Sequence, residues 1–253
     1  MILRLLLPIL LIQSAFSQDK EKGFVRLLAL GENPTMKFKN ENGRRVEQPP
    51  VPGSIPPRAL SVSGFAGAVA AVPFQLGRFA PWVEVVDRTL PLQLSAGEKK
   101  WAKVGAPTVP KLAVFVHDRA LKNMTWDKPK LFEFAETLRA YPNESIRVIN
   151  LTTAPVIVRL GEEASVEVKA GKARIFKEKD GAKVEDTVAL IGVKMKNGRV
   201  NRIYKSDIDL YKNQRLTIFL YLGDRELTKN RVYVKILSEP TFDPAAKAAA
   251  ENQ

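Results

Sequence analysis

The feature that most constrains the fold of this chain is a series of short, β-branched segments in its second half. They are apolar throughout or alternate apolar with polar residues, and each ends at turn-forming residues, which is the pattern of strands. Asn197-Gly198 and Asp180-Gly181 stand between such segments and indicate tight hairpins. Hairpins at close intervals favour an antiparallel sandwich over a fold built from strand-helix-strand units. The predicted strands lie at 146–151, 155–160, 164–171, 173–179, 187–196, 199–205, 215–223 and 231–237.

The first half of the chain contains segments of the same kind. Residues 130–140 fit either a short helix or one more strand. The remaining segments predict strands at 25–30, 36–39, 59–64, 82–87, 90–96, 99–104 and 111–118.

Three blocks of the first half recur in the same order in the second half. Residues 25–34 align with 146–155, 61–72 with 165–176, and 114–123 with 219–230. The last block aligns Asp118-Arg119 with Asp224-Arg225, and the first aligns Arg26 with Arg147. We therefore predict an all-β chain of two tandem immunoglobulin-like antiparallel β-sandwich domains related by internal duplication.

The predicted domains run from 18 to 141 and from 144 to 240, and residues 241–253 form a flexible tail. The first copy is longer than the second, and the excess falls where the composition turns proline-rich, at 43–58. Because proline donates no ladder hydrogen bond, we expect this stretch to be an inserted surface loop.

The amino terminus predicts export. Residues 1–17 combine Arg4, an apolar run over 5–12 and the small-x-small site Ala15-Phe16-Ser17, which together are typical of a signal peptide. No later stretch reaches the length of a membrane-spanning helix, so we expect no transmembrane anchor after cleavage. The chain has no cysteine, which excludes disulfides and thiolate metal sites. An exported protein without disulfides fits a bacterial envelope, in the periplasm or at the cell surface.

The charge of the chain is strongly positive. Forty Lys and Arg residues oppose 27 Asp and Glu residues, which gives a formal net charge of +13. Such a balance ordinarily suggests nucleic acid, but export argues against a nucleic-acid partner. We expect an acidic polysaccharide, lipid headgroups or an envelope protein partner with an acidic surface.

Two clusters of basic residues with an interleaved aromatic ring are the candidate ligand-binding residues. Cations beside a ring can follow an acidic chain by charge neutralisation and stacking. The same side chains can instead protect strand edges from aggregation and keep a β protein soluble. The candidates are Lys194, Lys196, Arg199, Arg202, Tyr204 and Lys205 in the second copy, and Lys99, Lys100, Trp101 and Lys103 in the first.

Catalytic chemistry has little support in the sequence. His117 is the only histidine, and its neighbour Asp118 would point to the opposite face of a strand. The second copy has Gly223 where the first has His117, so we interpret His117 as a structural or surface residue. Asp207 and Asp209 could offer two oxygens to Ca²⁺, but the rest of a calcium shell is not visible. There is no nucleophile elbow and no glycine-rich phosphate loop, and we expect no cofactor, no metal and no enzymatic activity.

The segments IRVINLTTAPVIVRL and SVEVKAGKARIF resemble exported bacterial β-sandwich domains of the kind in the alginate O-acetylation accessory protein and the related DUF4397-type repeats. In those domains an R-V-x-N strand with a nearby proline opens the unit, and an Ala-Gly turn leads into a following strand. The first copy departs from this pattern, because Ala29 stands where the second copy has Asn150. The resemblance implies an exported, non-catalytic binding or adaptor role and brings no catalytic residues.

These observations favour an exported accessory protein of the bacterial envelope that engages an anionic polysaccharide or a partner protein through basic β surfaces. Two alternatives stay open. The first is a carbohydrate-active enzyme whose carboxylates the sequence does not identify. The second is a structural surface or secretion-linked subunit.

Overall fold

The computed structural model describes residues 22–33, 36–64, 71–118, 125–177, 187–195, 197–211, 213–223 and 231–240. Within these ranges the regular structure is entirely β, in 18 strands, which confirms the all-β prediction. Outside them lie the predicted signal peptide, the Asp180-Gly181 turn, Lys196, the Asp224-Arg225 pair and the predicted tail.

The first unit comprises ten strands. They are β1 (Gly23–Leu30), β2 (Lys37–Glu41), β3 (Arg44–Gln48), β4 (Ala59–Val62), β5 (Val72–Pro73), β6 (Val83–Val85), β7 (Leu92–Ala96), β8 (Lys99–Val104), β9 (Lys111–Val116) and β10 (Lys130–Ala135). Residues 130–135 are thus a strand, one of the two predicted alternatives.

The second unit comprises the eight strands that its sequence predicts. They are β11 (Ser145–Asn150), β12 (Val156–Leu160), β13 (Val166–Val168), β14 (Lys172–Lys177), β15 (Thr187–Lys194), β16 (Val200–Ile208), β17 (Gln214–Leu222) and β18 (Val232–Pro240). The predicted hairpin at Asn197-Gly198 joins β15 to β16, and Gly198 has the positive φ of +80° that this turn requires.

Four four-stranded sheets form the body of the molecule. Sheet I has the order β5-β4-β7-β8 and sheet II the order β10-β9-β1-β6. Sheet III has the order β14-β11-β17-β18 and sheet IV the order β13-β12-β15-β16. The two units therefore have the same strand order, with β1 in the place of β11 and β9 in the place of β17.

One pair in each unit departs from the antiparallel prediction. β1 pairs with β9 in parallel, and β11 pairs with β17 in parallel, so sheets II and III are mixed. The alignment of 61–72 with 165–176 is also wrong in terms of topology, since it matches β4 with β13 although the strand orders match β4 with β12. The internal duplication stays a prediction.

Three apolar cores fill the spaces between the four sheets. Sheets II and III each contribute to two of these cores, because successive side chains of a strand point to opposite faces. The first core lies between sheets I and II and includes Leu27 and Phe115. The second lies between sheets III and IV and includes Val148 and Ile218. A third core joins sheet II to sheet III, where Leu28 and Phe219 are fully buried. The two sandwiches thus form one stack of four layers.

A buried network of charged side chains lies in the middle of the stack, between sheets II and III. Arg26 of β1 is paired with Glu239 of β18, and Arg147 of β11 is paired with Glu136, which follows β10, at 2.6 Å. The strand registers place Arg26 and Arg147 at equivalent positions, and likewise Glu136 and Glu239. Each unit thus supplies an arginine to the other unit's carboxylate, as the two halves of a two-fold interface do.

Arg215 lies at the centre of this network, which we call the charged junction. Its Nη2 is 3.7 Å from a carboxylate oxygen of Glu136 and 3.6 Å from one of Glu239. The guanidinium also lies over the ring of Tyr141, 4.6 Å from the centroid. Burial raises the pKa of Glu136, while the nearby Arg147 guanidinium opposes that rise.

The loop between β1 and β4 is the main difference between the units. It spans 31–58, whereas β11 and β12 are separated only by 151–155. The predicted surface loop at 43–58 is in part a strand, because β3 pairs with β2 in a two-stranded hairpin. Every residue of this hairpin is exposed, and among the described residues it pairs with no other strand. Its turn, Asn42-Gly43, has positive φ at both residues, as a two-residue hairpin turn requires.

Candidate anion-binding face

A β-bulge shapes the outer surface of sheet IV. Along β16, Tyr204 is opposite Ile191 of β15, but the next pairing joins Arg202 to Gly192, so Ile203 is an extra residue. Residues 202 and 205 of a regular strand would point to opposite faces. The bulge removes that difference and places Arg202 and Lys205 on the same, outward face, where bulges commonly re-aim side chains.

Gly192 lies at this bulge and leaves little room for a side chain. A Cβ built at this position would lie 2.4 Å from Cγ1 of Val200, far inside van der Waals contact. A side chain at 192 would therefore require Val200 to move, and it would also crowd the backbone oxygen of Asn201, which lies 3.2 Å from that Cβ.

The outward cations surround an open depression of about 510 Å³. Its rim carries Arg159 from β12 and Arg202 and Lys205 from β16. Register explains the arrangement, since Leu190 of β15 is opposite both Arg159 and Lys205. Between the cations lie apolar side chains, and one carboxylate, Glu162, borders the depression.

The three rim cations are available to a ligand. Arg159, Arg202 and Lys205 are exposed. Among the described residues, no carboxylate lies within 4.0 Å of their charged groups. The depression is therefore a patch of positive charge with an apolar floor, and acidic groups would gain an electrostatic attraction there.

The other candidates of this cluster are placed differently. Lys194 is on the same sheet, but its Nζ donates to a carboxylate oxygen of Glu167 at 2.9 Å, so its charge is paired. Arg199 is exposed in the turn after β15. The prediction that Tyr204 interleaves with the cations on the surface is wrong, because Tyr204 packs against the core between sheets III and IV. Its side chain points inward by the ordinary alternation of β16, because Tyr204 lies opposite the buried Ile191.

The first-copy cluster lies on β8 of sheet I. Lys99 donates to a carboxylate oxygen of Asp127 at 3.0 Å, and this hydrogen bond holds the pKa of Asp127 below its usual value. Lys100 and Lys103 are exposed on the outer face. The prediction that Trp101 is a surface ring is wrong, because Trp101 is only 7% exposed and packs on Phe74 and Phe115.

The indole of Trp101 is held by both apolar and polar contacts. Its Nε1 donates to the backbone oxygen of Trp126 at 2.7 Å, which satisfies the single polar atom of a buried ring. A ligand therefore cannot stack on Trp101 in the folded protein.

The structure places His117 and the paired aspartates in different surroundings. His117 is buried, with its ring edge-on to Trp126 at a centroid separation of 6.3 Å. Asp207 and Asp209 are exposed. No group of three or more potential metal ligands occurs among the described residues.

The residues that carry the R-V-x-N motif have structural contacts. Arg147 is in the charged junction. The amide of buried Asn150 donates to the backbone oxygens of Ala154 and Val168, and its side-chain oxygen accepts from the amide of Thr152. The asparagine thus closes the turn after β11 and ties it to β13.

Arg159 is a candidate binding residue that its sequence context does not single out. It belongs to an alternating strand, PVIVRL, in which its outward direction was predictable. Its proximity to residues 202 and 205 was not, because that depends on the pairing of β12 with β15 and on the bulge.

No helix among the described residues is long and apolar enough to cross a membrane. The chain matches no family model, and no curated protein is significantly similar to it.

Proposed function

We propose that this chain is an exported, non-catalytic binding protein that engages an acidic polysaccharide through the outer face of sheet IV. The observation that carries the proposal is the bulge-directed convergence of Arg159, Arg202 and Lys205 around one open depression. The predicted signal peptide supports export, and export makes an extracytoplasmic glycan a better ligand than nucleic acid.

The composition of the depression favours an acidic sugar over a simple anion. Val188 and Leu190 supply an apolar floor that can contact the C–H face of a sugar ring. The two guanidinium groups can form two parallel hydrogen bonds each to a carboxylate or sulfate, while Lys205 supplies a point charge. Since the depression is open, a long chain can pass across it without its ends being enclosed.

The test is the affinity of the protein for polygalacturonate, dextran sulfate and neutral dextran, measured by biolayer interferometry on immobilised polymer. We expect binding to the two acidic polymers and none to dextran. Arg159→Glu/Arg202→Glu/Lys205→Glu reverses the rim charges and should weaken binding by at least about tenfold, since each lost contact to a charged group costs about 1.5–3 kcal/mol.

A matched control separates the rim from the overall charge. Lys128, Arg174 and Lys177 are also exposed, and Lys128→Glu/Arg174→Glu/Lys177→Glu changes the net charge by the same amount. This control should retain most of the affinity. Equal loss in both variants, or no binding to any acidic polymer, would contradict the proposal, and the second result would direct attention to a protein partner.

A further inference from the structure

A β-bulge places two cations on the outer face of sheet I, as another bulge does on the outer face of sheet IV. Along β8, Ala102 is opposite Leu94 of β7, but the next pairing joins Lys100 to Ser95, so Trp101 is an extra residue. This bulge brings Lys100 and Lys103 onto one face, as the other bulge does for Arg202 and Lys205. Both sites therefore present two cations three residues apart.

The two bulges occupy equivalent places in the two units. β8 and β16 have the same position in the strand orders of sheets I and IV. In each, the extra residue and the one after it pack toward the unit's own core: Trp101 and Ala102 in the first, Ile203 and Tyr204 in the second. The sequences KWAK and RIYK thus read cation, two inward residues, cation.

The two cation pairs face in opposite directions. Sheets I and IV are the outermost layers of the stack, because the three cores lie between sheets I and II, II and III, and III and IV. Packed sheets are about 10 Å apart, so the two outer sheets are roughly 30 Å apart with both middle sheets between them. A stiff chain lying along one outer face leaves the other free.

We infer that the protein binds two acidic polysaccharide chains at once, one on each outer sheet, and so cross-links them. The inference rests on the proposed function for the sheet IV face and adds a second site, Lys100 and Lys103. Among the described residues no carboxylate is within 4.0 Å of either ammonium group, so both charges are available. Two weak sites on one rigid body gain avidity once a network of chains surrounds them.

The experiment uses the full chain with polygalacturonate in EDTA, which removes the calcium that would itself gel the polymer. Direct binding is measured on immobilised polymer, and cross-linking by light scattering as protein is added to polymer in solution. We expect scattering to rise several-fold, to peak, and then to fall when excess protein occupies each chain separately.

Two single-face variants decide the question. Lys100→Gln/Lys103→Gln should bind immobilised polymer within about tenfold of the wild-type affinity, and Arg202→Gln/Lys205→Gln should bind it more weakly but still measurably, while neither variant should give a scattering peak. Lys128→Gln/Lys177→Gln, with the same change in charge, should keep the peak.

Each other result overturns the inference. If the wild-type protein binds the immobilised polymer but gives no peak, the second site is wrong and the proposed function survives. If either single-face variant gives the wild-type peak, cross-linking does not use both faces. If the wild-type protein does not bind at all, the proposed function fails together with the inference.

Discussion

Arginine has two different environments in this molecule, the charged junction and the rim on sheet IV. Arg215 is fully buried, lies between Glu136 and Glu239, and covers a tyrosine ring. Arg159 and Arg202 are exposed and have no carboxylate within salt-bridge distance among the described residues. The comparison teaches that position in the stack, not residue type, separates the arginines that hold the fold from those that can meet a ligand.

The largest effect on stability is expected at the junction. Arg215→Met removes the guanidinium that Glu136 and Glu239 share and leaves each of these buried carboxylates with a single arginine partner. The free energy of unfolding should fall by about 3–5 kcal/mol, as measured by urea denaturation. The matched surface change, Arg159→Met, should alter it by no more than about 0.5 kcal/mol. A loss below about 1 kcal/mol for Arg215→Met would show that the junction does not hold the sandwiches together.

A smaller effect is expected at the bulge that shapes the rim. Gly192→Ala places a methyl group against Val200 and should cost about 1–3 kcal/mol of unfolding free energy by overpacking. It should also weaken polygalacturonate binding, since Arg202 would shift away from Lys205. The double variant Gly192→Ala/Val200→Ala removes the opposing methyl groups and should recover most of both losses. Additive losses in the double variant would contradict this account of the bulge.

The β2–β3 hairpin should contribute very little to stability. Its residues are exposed on both faces and it has no strand partner among the described residues outside itself. Replacing residues 37–48 by a short Gly-Ser linker should change the free energy of unfolding by at most about 0.5 kcal/mol, again by urea denaturation. A loss of about 2 kcal/mol or more of unfolding free energy would mean that the hairpin packs on the rest of the molecule.

The smallest effect is the titration of Asp127. Its hydrogen bond from Lys99 holds the carboxyl pKa below the usual value of 3.8. A lowered pKa favours the folded state only while the group is ionised. The contribution of Asp127 to the free energy of unfolding is therefore present at pH values above the usual pKa and is lost as the pH falls through the lowered pKa. Carbon-detected NMR of the Asp127 carboxyl should show the pKa rising in Lys99→Ala. An unchanged pKa would mean that the ion pair does not persist in solution.

The strands were largely predictable because alternation and turn residues are local signals. All eight strands of the second unit coincide with predicted segments. β3 was missed because the proline-rich composition of 43–58 outweighed the Asn42-Gly43 turn, which is itself a strong hairpin signal. The parallel pairs were missed because the direction in which distant strands pair is not encoded in their own alternation.

The candidate site was only partly predictable. The sequence placed Arg202 and Lys205 in one basic cluster but could not tell which face each occupies, since a single extra residue reverses every side chain beyond it. The same uncertainty put Trp101 and Tyr204 on the surface, although both pack toward a core: Trp101 is the extra residue of its bulge, and Tyr204 follows the extra residue of the other. The junction left one trace, the aligned arginines Arg26 and Arg147 in otherwise apolar strands, but their carboxylate partners lie in the opposite unit.

The most direct test of the central claim is the salt dependence of polygalacturonate binding. Each cation that contacts the polymer releases condensed counterions, so the slope of log affinity against log salt concentration counts the contacts. Arg159→Glu/Arg202→Glu/Lys205→Glu removes three contacts and should reduce the magnitude of that slope by about 2, at roughly 0.7 for each contact to a flexible polyanion. A slope equal to that of the wild-type protein would contradict the claim that these side chains bind the chain.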